Sequence, residues 1–251
     1  AKALVDVVPD DRTALGVVSF SSYDRGDEVV EEYAIAPIPN SDLGYDADAT
    51  RDLIKSEIDS LTPTNWTALY YAANFALNKL NDYRIDKGTS ANRMVFLLSD
   101  GAENDSGGII ETDVINAYTD ARVPLITFGF AESETYSWLD TLKNLSAETG
   151  GDYYYSPTDP DSIQDAFLRA NIDSSSNVNM FDAKVILPAS GGTISQEIVI
   201  DSTLQSMVIF ANYLGDKTDV DFTIRDSAGV TTPFTFTKTQ SSTIATCKAT
   251  I

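Results

Sequence analysis

The chain of 251 residues contains no histidine and a single cysteine, Cys247. Without histidine there is no Ser-His-Asp nucleophile, no histidine-assisted cysteine chemistry, and none of the imidazole ligands on which most zinc sites depend. One cysteine closes no internal disulfide. In its threonine-rich surroundings Cys247 reads either as a small packed residue or as a partner for another chain, and it leaves the redox compartment open. Positive charge is also scarce: 17 Lys and Arg stand against 38 Asp and Glu, a net charge of −21. That surface repels the phosphates of nucleic acid and the headgroups of an anionic membrane. No apolar run approaches the roughly 18 residues of a membrane span. Neither an initiator methionine nor a signal-peptide pattern opens the sequence, so the chain reads as a processed or excised piece of something longer.

What is present suffices for a core. Apolar residues make up 43% of the chain, and its length suits one or two domains. The acidic excess fits an extracellular protein, a saline habitat or a taste for divalent cations, and it fits plain solubility too.

Up to about residue 172 the hydrophobic period alternates between strand and helix. Residues 1–8 read as the last turns of a helix stopped at Pro9. Residues 14–20 read as a buried strand and 29–35 as an edge strand. Helices are expected at 49–61, 67–83, 112–122, 136–149 and 159–171, with strands at 93–99, 124–130 and 152–155. Strands separated by helices imply parallel βαβ units, hence an α/β fold with a doubly wound, mostly parallel sheet. The tyrosines Tyr153, Tyr154 and Tyr155 read as strand residues. A linker follows at 173–177 (Asp-Ser-Ser-Ser-Asn). Beyond it no helical period remains, and short strands at 183–187, 195–200, 206–212, 219–225, 231–238 and 243–249 suggest a small all-β sandwich. The domains expected are therefore 1–172 and 177–251.

One stretch carries chemistry. The apolar run ending at Leu97-Leu98 stops abruptly in Ser99-Asp100-Gly101. A buried strand holds no aspartate inside its span, so the carboxylate belongs at the strand's C-terminal tip, where open α/β sheets bind their ligands. An ordinary Asp-Gly turn is the plain alternative. Thr67 opens the helix that follows Thr62-Pro63-Thr64-Asn65-Trp66, which brings its hydroxyl to the same edge. A hydroxyl beside a carboxylate is a hard-oxygen pair of the kind Mg²⁺ or Ca²⁺ accepts, and a simple helix N-cap is the plain alternative for Thr67.

Asn65-Trp66-Thr67-Ala68-Leu69, followed by Leu97-Leu98-Ser99-Asp100-Gly101, resembles the second half of a von Willebrand factor A domain. The likeness extends through element order over about residues 1–172. Such domains carry a metal-ion-dependent adhesion site on three loops: an Asp-x-Ser-x-Ser, a threonine and an aspartate. The resemblance implies Thr67 for the second loop and Asp100 for the third. The later stretches, among them Ile198-Val199-Ile200-Asp201-Ser202-Thr203 and Asp226-Ser227-Ala228-Gly229, are similar to the β-sandwich that follows the A domain in the calcium-activated chloride channel regulator family. Those proteins are secreted or surface-bound and carry a zinc protease region, but no His-Glu-x-x-His occurs here.

The resemblance departs at one point. The strand bearing Asp-x-Ser-x-Ser, expected before the helix at 1–8, is absent, and Ser19-Phe20-Ser21-Ser22 lacks the aspartate. Two donors fall short of the roughly six oxygens that Mg²⁺ wants. The missing strand is the central one, and its loss leaves two edges with unpaired backbone groups, each costing about 1–3 kcal/mol. An upstream segment or a neighbouring chain is expected to fill the sheet.

The resemblance then implies an extracellular, metal-dependent protein-binding or adhesion module that receives a partner's carboxylate. A structural subunit of a surface filament or matrix, with a vestigial metal site, is the competing reading, and an enzyme is not expected. Ser99, Glu103, Asn104 and Trp66 are candidates to line the site or touch a ligand. Glu103 and Asn104 fit a solvated loop as well, and Trp66 fits packing on its helix. Asn-x-Ser/Thr triplets at Asn65, Asn104 and Asn144 are candidate glycosylation sites.

Overall fold

The computed structural model describes residues 1–8, 13–22, 29–62, 66–87, 92–156, 170, 192–193, 195, 197, 208–214, 219–225, 228–231, 237–241 and 244–250. The chain divides into two compact units, Ala1–Asn177 and Val178–Ile251.

The first unit opens with helix α1 (Lys2–Val7), which leads to strand β1 (Thr13–Phe20) and its antiparallel neighbour β2 (Val29–Ile38). Helices α2 (Ala47–Ser60) and α3 (Leu69–Lys87) follow, and then βαβαβ: β3 (Val95–Ser99), α4 (Glu111–Ala121), β4 (Leu125–Phe130), α5 (Leu139–Thr149) and β5 (Tyr153–Ser156). β3, β4 and β5 form a parallel sheet in that order, whereas β1 and β2 form a separate pair. This is the expected α/β class, with the parallel order that helix crossovers impose.

Local chemistry accounts for most boundaries. Asp46 starts α2 by accepting the amide of Ala49 at 2.8 Å. α5 ends on Gly150 in the left-handed conformation (φ 76°), which costs glycine nothing. α5 starts at Leu139 rather than near 136, after the turn made by Tyr136 and Ser137. β2 runs past the expected Ile35 to Ile38, because its hairpin partner β1 continues the pairing through Leu15, Ala14 and Thr13.

The core lies beneath β4. Leu125, Ile126 and Phe128 are fully covered, as the middle strand of a two-faced sheet requires. Leu69, Ala73 and Leu77 of α3, Val114 and Tyr118 of α4, and Leu139, Leu142 and Leu145 of α5 pack together there. Tyr118 is wholly buried and its hydroxyl donates to the carbonyl of Ala73 at 2.7 Å, pinning α4 to α3. Burial pushes that phenol far above its ordinary range, so it stays protonated. Tyr118→Phe leaves the Ala73 carbonyl without this donor. It is expected to cost about 1–2 kcal/mol in urea unfolding with an unchanged m-value.

In the second unit, β6 (Val208–Leu214), β7 (Thr237–Ser241) and β8 (Ile244–Thr250) form an antiparallel sheet in the order β6-β8-β7. The expected strand at 219–225 is not formed: that stretch is irregular, and Arg225 makes only an isolated bridge to Thr231. Its Asp219 and Asp221 are poor strand formers. A second sheet is not among the described residues. The segments 183–187 and 198–200, the linker at 173–177 and most of the helix at 159–171 lie outside them; Ala170 is helical and buried.

Candidate functional site

The loop after β1, the turn after β3 and the entry to α3 meet at one rim. Ser21, just past β1, accepts the amide of Ala68 at 2.6 Å. On the other side, a Cβ placed on Gly101 would stand 3.3 Å from Thr67 Oγ1. Gly101 directly follows Asp100, whose side chain is exposed. The Thr67 hydroxyl and the Ser99-Asp100-Gly101 turn therefore converge, although 33 positions separate Thr67 from Asp100 in the chain.

The neighbouring residues explain why the rim keeps this shape. Asn104 grips the backbone of Thr67 from both sides: its Oδ1 accepts the Thr67 amide at 2.8 Å, and its amide donates to the Thr67 carbonyl at 3.1 Å. α3 starts two residues later than expected, at Leu69, so Thr67 sits before the helix rather than at its first position. The helix is capped from elsewhere. Ser106 Oγ accepts the amides of Tyr70 and Tyr71 at 3.0 and 3.1 Å, and Glu103 Oε2 accepts Tyr70 at 3.2 Å and Ser106 Oγ at 2.7 Å. A carboxylate there also faces the positive end of the helix dipole. The other oxygen of Glu103 accepts the amide of Asp105 at 2.9 Å.

The candidate residues thus separate by role. Ser99 is buried, and its hydroxyl donates to the Gly101 carbonyl at 2.9 Å, so it holds the turn instead of facing outward. Glu103 and Asn104 fasten the loop to α3; neither is merely solvated. Trp66 is 51% exposed, so about half of it is open to solvent and half is covered. Asn65 lies outside the described residues. Asn104 and Asn144 are both exposed, and the Asn144 side chain donates to Glu111.

Three residues were missed in the sequence. Ser106 and Asp105 follow the Asp-Gly turn, and the buried Ser22 hydroxyl donates to the Asp105 carboxylate, tying the β1 loop to the β3 loop. Their partners lie 35, 36 and 83 positions away, and no short motif encodes such spacing.

Thr67 and Asp100 have the hard-oxygen chemistry of a Mg²⁺ or Ca²⁺ site, but they supply two groups where about six donor atoms are needed. Among the described residues no group of three or more Asp, Glu or Cys side chains gathers to hold an ion. Among the described residues, Thr67 and Asp100 do not by themselves make a resident cation site.

No curated protein sequence matches the chain. Among solved structures the chain is similar to proximal thread matrix protein 1 from the mussel byssus (18% identity, 69% of this chain and 37% of that one, TM-score 0.42). It is also similar to the N-terminal domain of TFIIH p34 (17% identity, 62% and 75%, TM-score 0.42) and to the SpRpn10 VWA domain (11%, 66% and 76%, TM-score 0.42). The chain spans just over a third of the mussel protein's length. The von Willebrand factor type A domain model matches residues 2–169, and the chain belongs to that family.

Proposed function

We propose that this chain is an extracellular protein-binding or adhesion module, that its docking face is the rim around Thr67 and Asp100, and that it has no catalytic role. In this reading a divalent cation, Mg²⁺ or Ca²⁺, is shared between the chain and its partner. Thr67 Oγ1 and the Asp100 carboxylate hold one side of the ion, and a partner carboxylate with water holds the other. Membership in the A-domain family suggests protein interaction. The observation that carries the reading to this rim is the approach of Thr67 Oγ1 to the Asp100-Gly101 turn. The net charge of −21 makes direct contact with an acidic partner repulsive, and a cation between them reverses that sign. Exposed Trp66 offers an apolar contact beside the polar one. An extracellular location accords with the acidic surface and with the resemblance of the later stretches to chloride channel regulator sandwiches.

The experiment is a cation titration followed by calorimetry and thermal unfolding. With an acidic peptide in excess, Mg²⁺ or Ca²⁺ is expected to raise the Tm of the native chain, whereas the cation alone leaves it unchanged; Asp100→Ala is expected to abolish the shift while leaving the unliganded Tm within about 1 °C, because surface substitutions have small effects. Capture of an acidic protein partner is expected to disappear with chelator and with Asp100→Ala alike.

A structural role in a surface filament or matrix, with a vestigial metal site, is the second reading. The observation that favours it is the shortage of donors among the described residues. Insensitivity to cation, chelator and Asp100→Ala would establish that role in place of the first.

A further inference from the structure

The turn that joins β2 to α2 sets exposed apolar side chains on a buried polar footing. Asn40, near its start, is 4% exposed. The Asn40 backbone amide donates to Thr50 Oγ1 at 3.0 Å, and its Nδ2 donates to the Tyr33 hydroxyl at 2.9 Å. The buried Thr50 hydroxyl in turn donates to the Asp46 carbonyl at 2.7 Å. On this footing the backbone closes on itself. The amides of Leu43 and Tyr45 donate to the Asn40 carbonyl at 3.2 and 3.0 Å, and that of Gly44 donates to the Ser41 carbonyl at 3.1 Å. Gly44 takes the left-handed conformation (φ 73°), which a larger residue adopts only with strain. The turn is thus held in one shape.

Two of its features work against stability. Asn40 Oδ1 is buried and meets no hydrogen-bond donor among the described residues, an unmade bond that weakens the fold. Leu43 and Tyr45 are 56% and 42% exposed, and every residue from 41 to 46 is open to water. Ile38 before the turn and Ile54 after it are fully buried, so apolar side chains nearby do find cover. A turn that merely connects two elements favours Gly, Asn, Asp and Ser. Local rules broken together on one rigid loop mark a functional surface. The charge around the pair has one sign. Asp42, Asp46 and Asp48 are exposed, and residues 39–50 contain no Lys or Arg. The turn follows Ile38, which pairs with Thr13 at the start of β1, whereas the rim lies past the end of β1. The eight residues of β1 put about 25 Å between the two.

We propose that this turn is a second docking element, apart from the rim, which inserts Tyr45 and Leu43 into an apolar groove bordered by Lys or Arg on a partner protein. Tyr45 is the anchor, because tyrosine brings a large contact area with few rotatable bonds; Leu43 extends the apolar contact. The three aspartates face the basic border of the groove. They also reject surfaces of the chain's own sign, among them a second copy of net charge −21 and an anionic membrane. The fixed backbone removes the ordering that a mobile loop would undergo on binding. In the free chain the same features appear as the orphan acceptor and the open apolar surface. No cation enters, so this element and the rim stand or fail separately.

The test uses the whole chain in chelator and an acetylated Leu-Lys-Lys-Leu-Leu-Lys-Leu-Leu-Lys-Lys-Leu-Leu-Lys-Leu peptide. Its helical period gives a Leu face, which supplies the groove, between flanks of Lys, which supply the border. Hydrogen exchange is read by mass spectrometry. At saturation the peptide is expected to slow exchange at least tenfold in residues 41–48. The double variant Leu43→Ser, Tyr45→Ser is expected to bind at least tenfold more weakly with its Tm within about 1 °C of native, because both side chains are exposed. Should it lose native circular dichroism, Leu43→Ala alone carries the test, with a loss of about threefold. Asp42→Asn with Asp48→Asn is expected to weaken binding and to flatten its salt dependence. Leu61→Ser, at an exposed apolar position outside the turn, is expected to change nothing. Protection absent from 41–48, or equal binding by the double variant, overturns the proposal. So does a native-like double variant whose Tm falls by several degrees, because the pair would then serve the fold. Protection of 41–48 before peptide is added also overturns it, since a second copy or the chain's own residues would already cover the turn. Binding to phosphatidylcholine vesicles that the double variant loses would assign the pair to a lipid surface instead.

Discussion

Phe128→Ala is expected to be the most damaging single truncation in the first unit, at about 3–5 kcal/mol. Phe128 is 0% exposed at the middle of β4. Its ring meets Phe96 at 6.0 Å, Phe130 at 6.5 Å and Tyr154 at 5.3 Å between centroids, so the deletion empties a site framed by three strands. The framing strands are hydrogen-bonded to one another and cannot collapse into the space, which puts the cost at the upper end of the usual range. Domains of this size are stable by about 5–15 kcal/mol, so much of that margin is lost, and Tm falls by roughly 10 °C. Phe96→Ala removes the same number of atoms from a half-buried position on β3 and is expected to cost less than half as much. Chemical unfolding of the two variants side by side measures the difference. Equal costs would mean that Phe96 is as well covered as Phe128.

How much of this was legible in the sequence depended on how local the cause was. Residues 93–99 and 124–130 announce strands because a two-faced parallel strand must be apolar throughout, and both form, as Val95–Ser99 and Leu125–Phe130. Gly150 announces the end of α5 because only glycine takes its backbone conformation without strain. Asp100 at a strand tip was legible for the same local reason. The rim's scaffold was not. Glu103 and Ser106 look like turn residues, yet they cap a helix that begins more than thirty positions earlier. Thr67 looks like that helix's own cap, but its backbone is bonded to Asn104 and that of Ala68 to Ser21, and the helix begins after them. Pairings that the chain closes through tertiary contact leave no periodic trace. The strand expected at 219–225 failed for the converse reason: local alternation was present, but two aspartates in the stretch weigh against a ladder.

Arg51→Met is the second large effect, and the sequence gives no hint of it. Arg51 stands in the middle of α2 among Asp52, Lys55 and Glu57, where arginine ordinarily faces water. Here it is 6% exposed. Its Nε donates to the carbonyl of Val5 at 3.0 Å and its Nη2 to that of Val8 at 2.6 Å. Those carbonyls belong to the end of α1, a six-residue helix with no basic residue in its own last turn. So short a helix does not hold itself together in water; what holds it is the face it buries and the guanidinium that closes its negative end. Methionine refills the volume of the stem but donates no hydrogen bond, leaving both buried carbonyls without this donor. Each charge-assisted bond contributes about 1.5–3 kcal/mol, so the loss is expected at about 3–6 kcal/mol in total. The exposed pair between Lys2 and Asp59, 2.6 Å apart on the same two helices, supplies the control: Lys2→Met is expected to cost less than about 1 kcal/mol. Because α1 is the element that leads into β1, the damage is expected to be regional first. Hydrogen exchange should accelerate in residues 2–8 before it does in 125–130. Simultaneous acceleration in both stretches would mean that α1 and the β4 core unfold as one unit, and that the guanidinium secures the whole domain rather than its first helix.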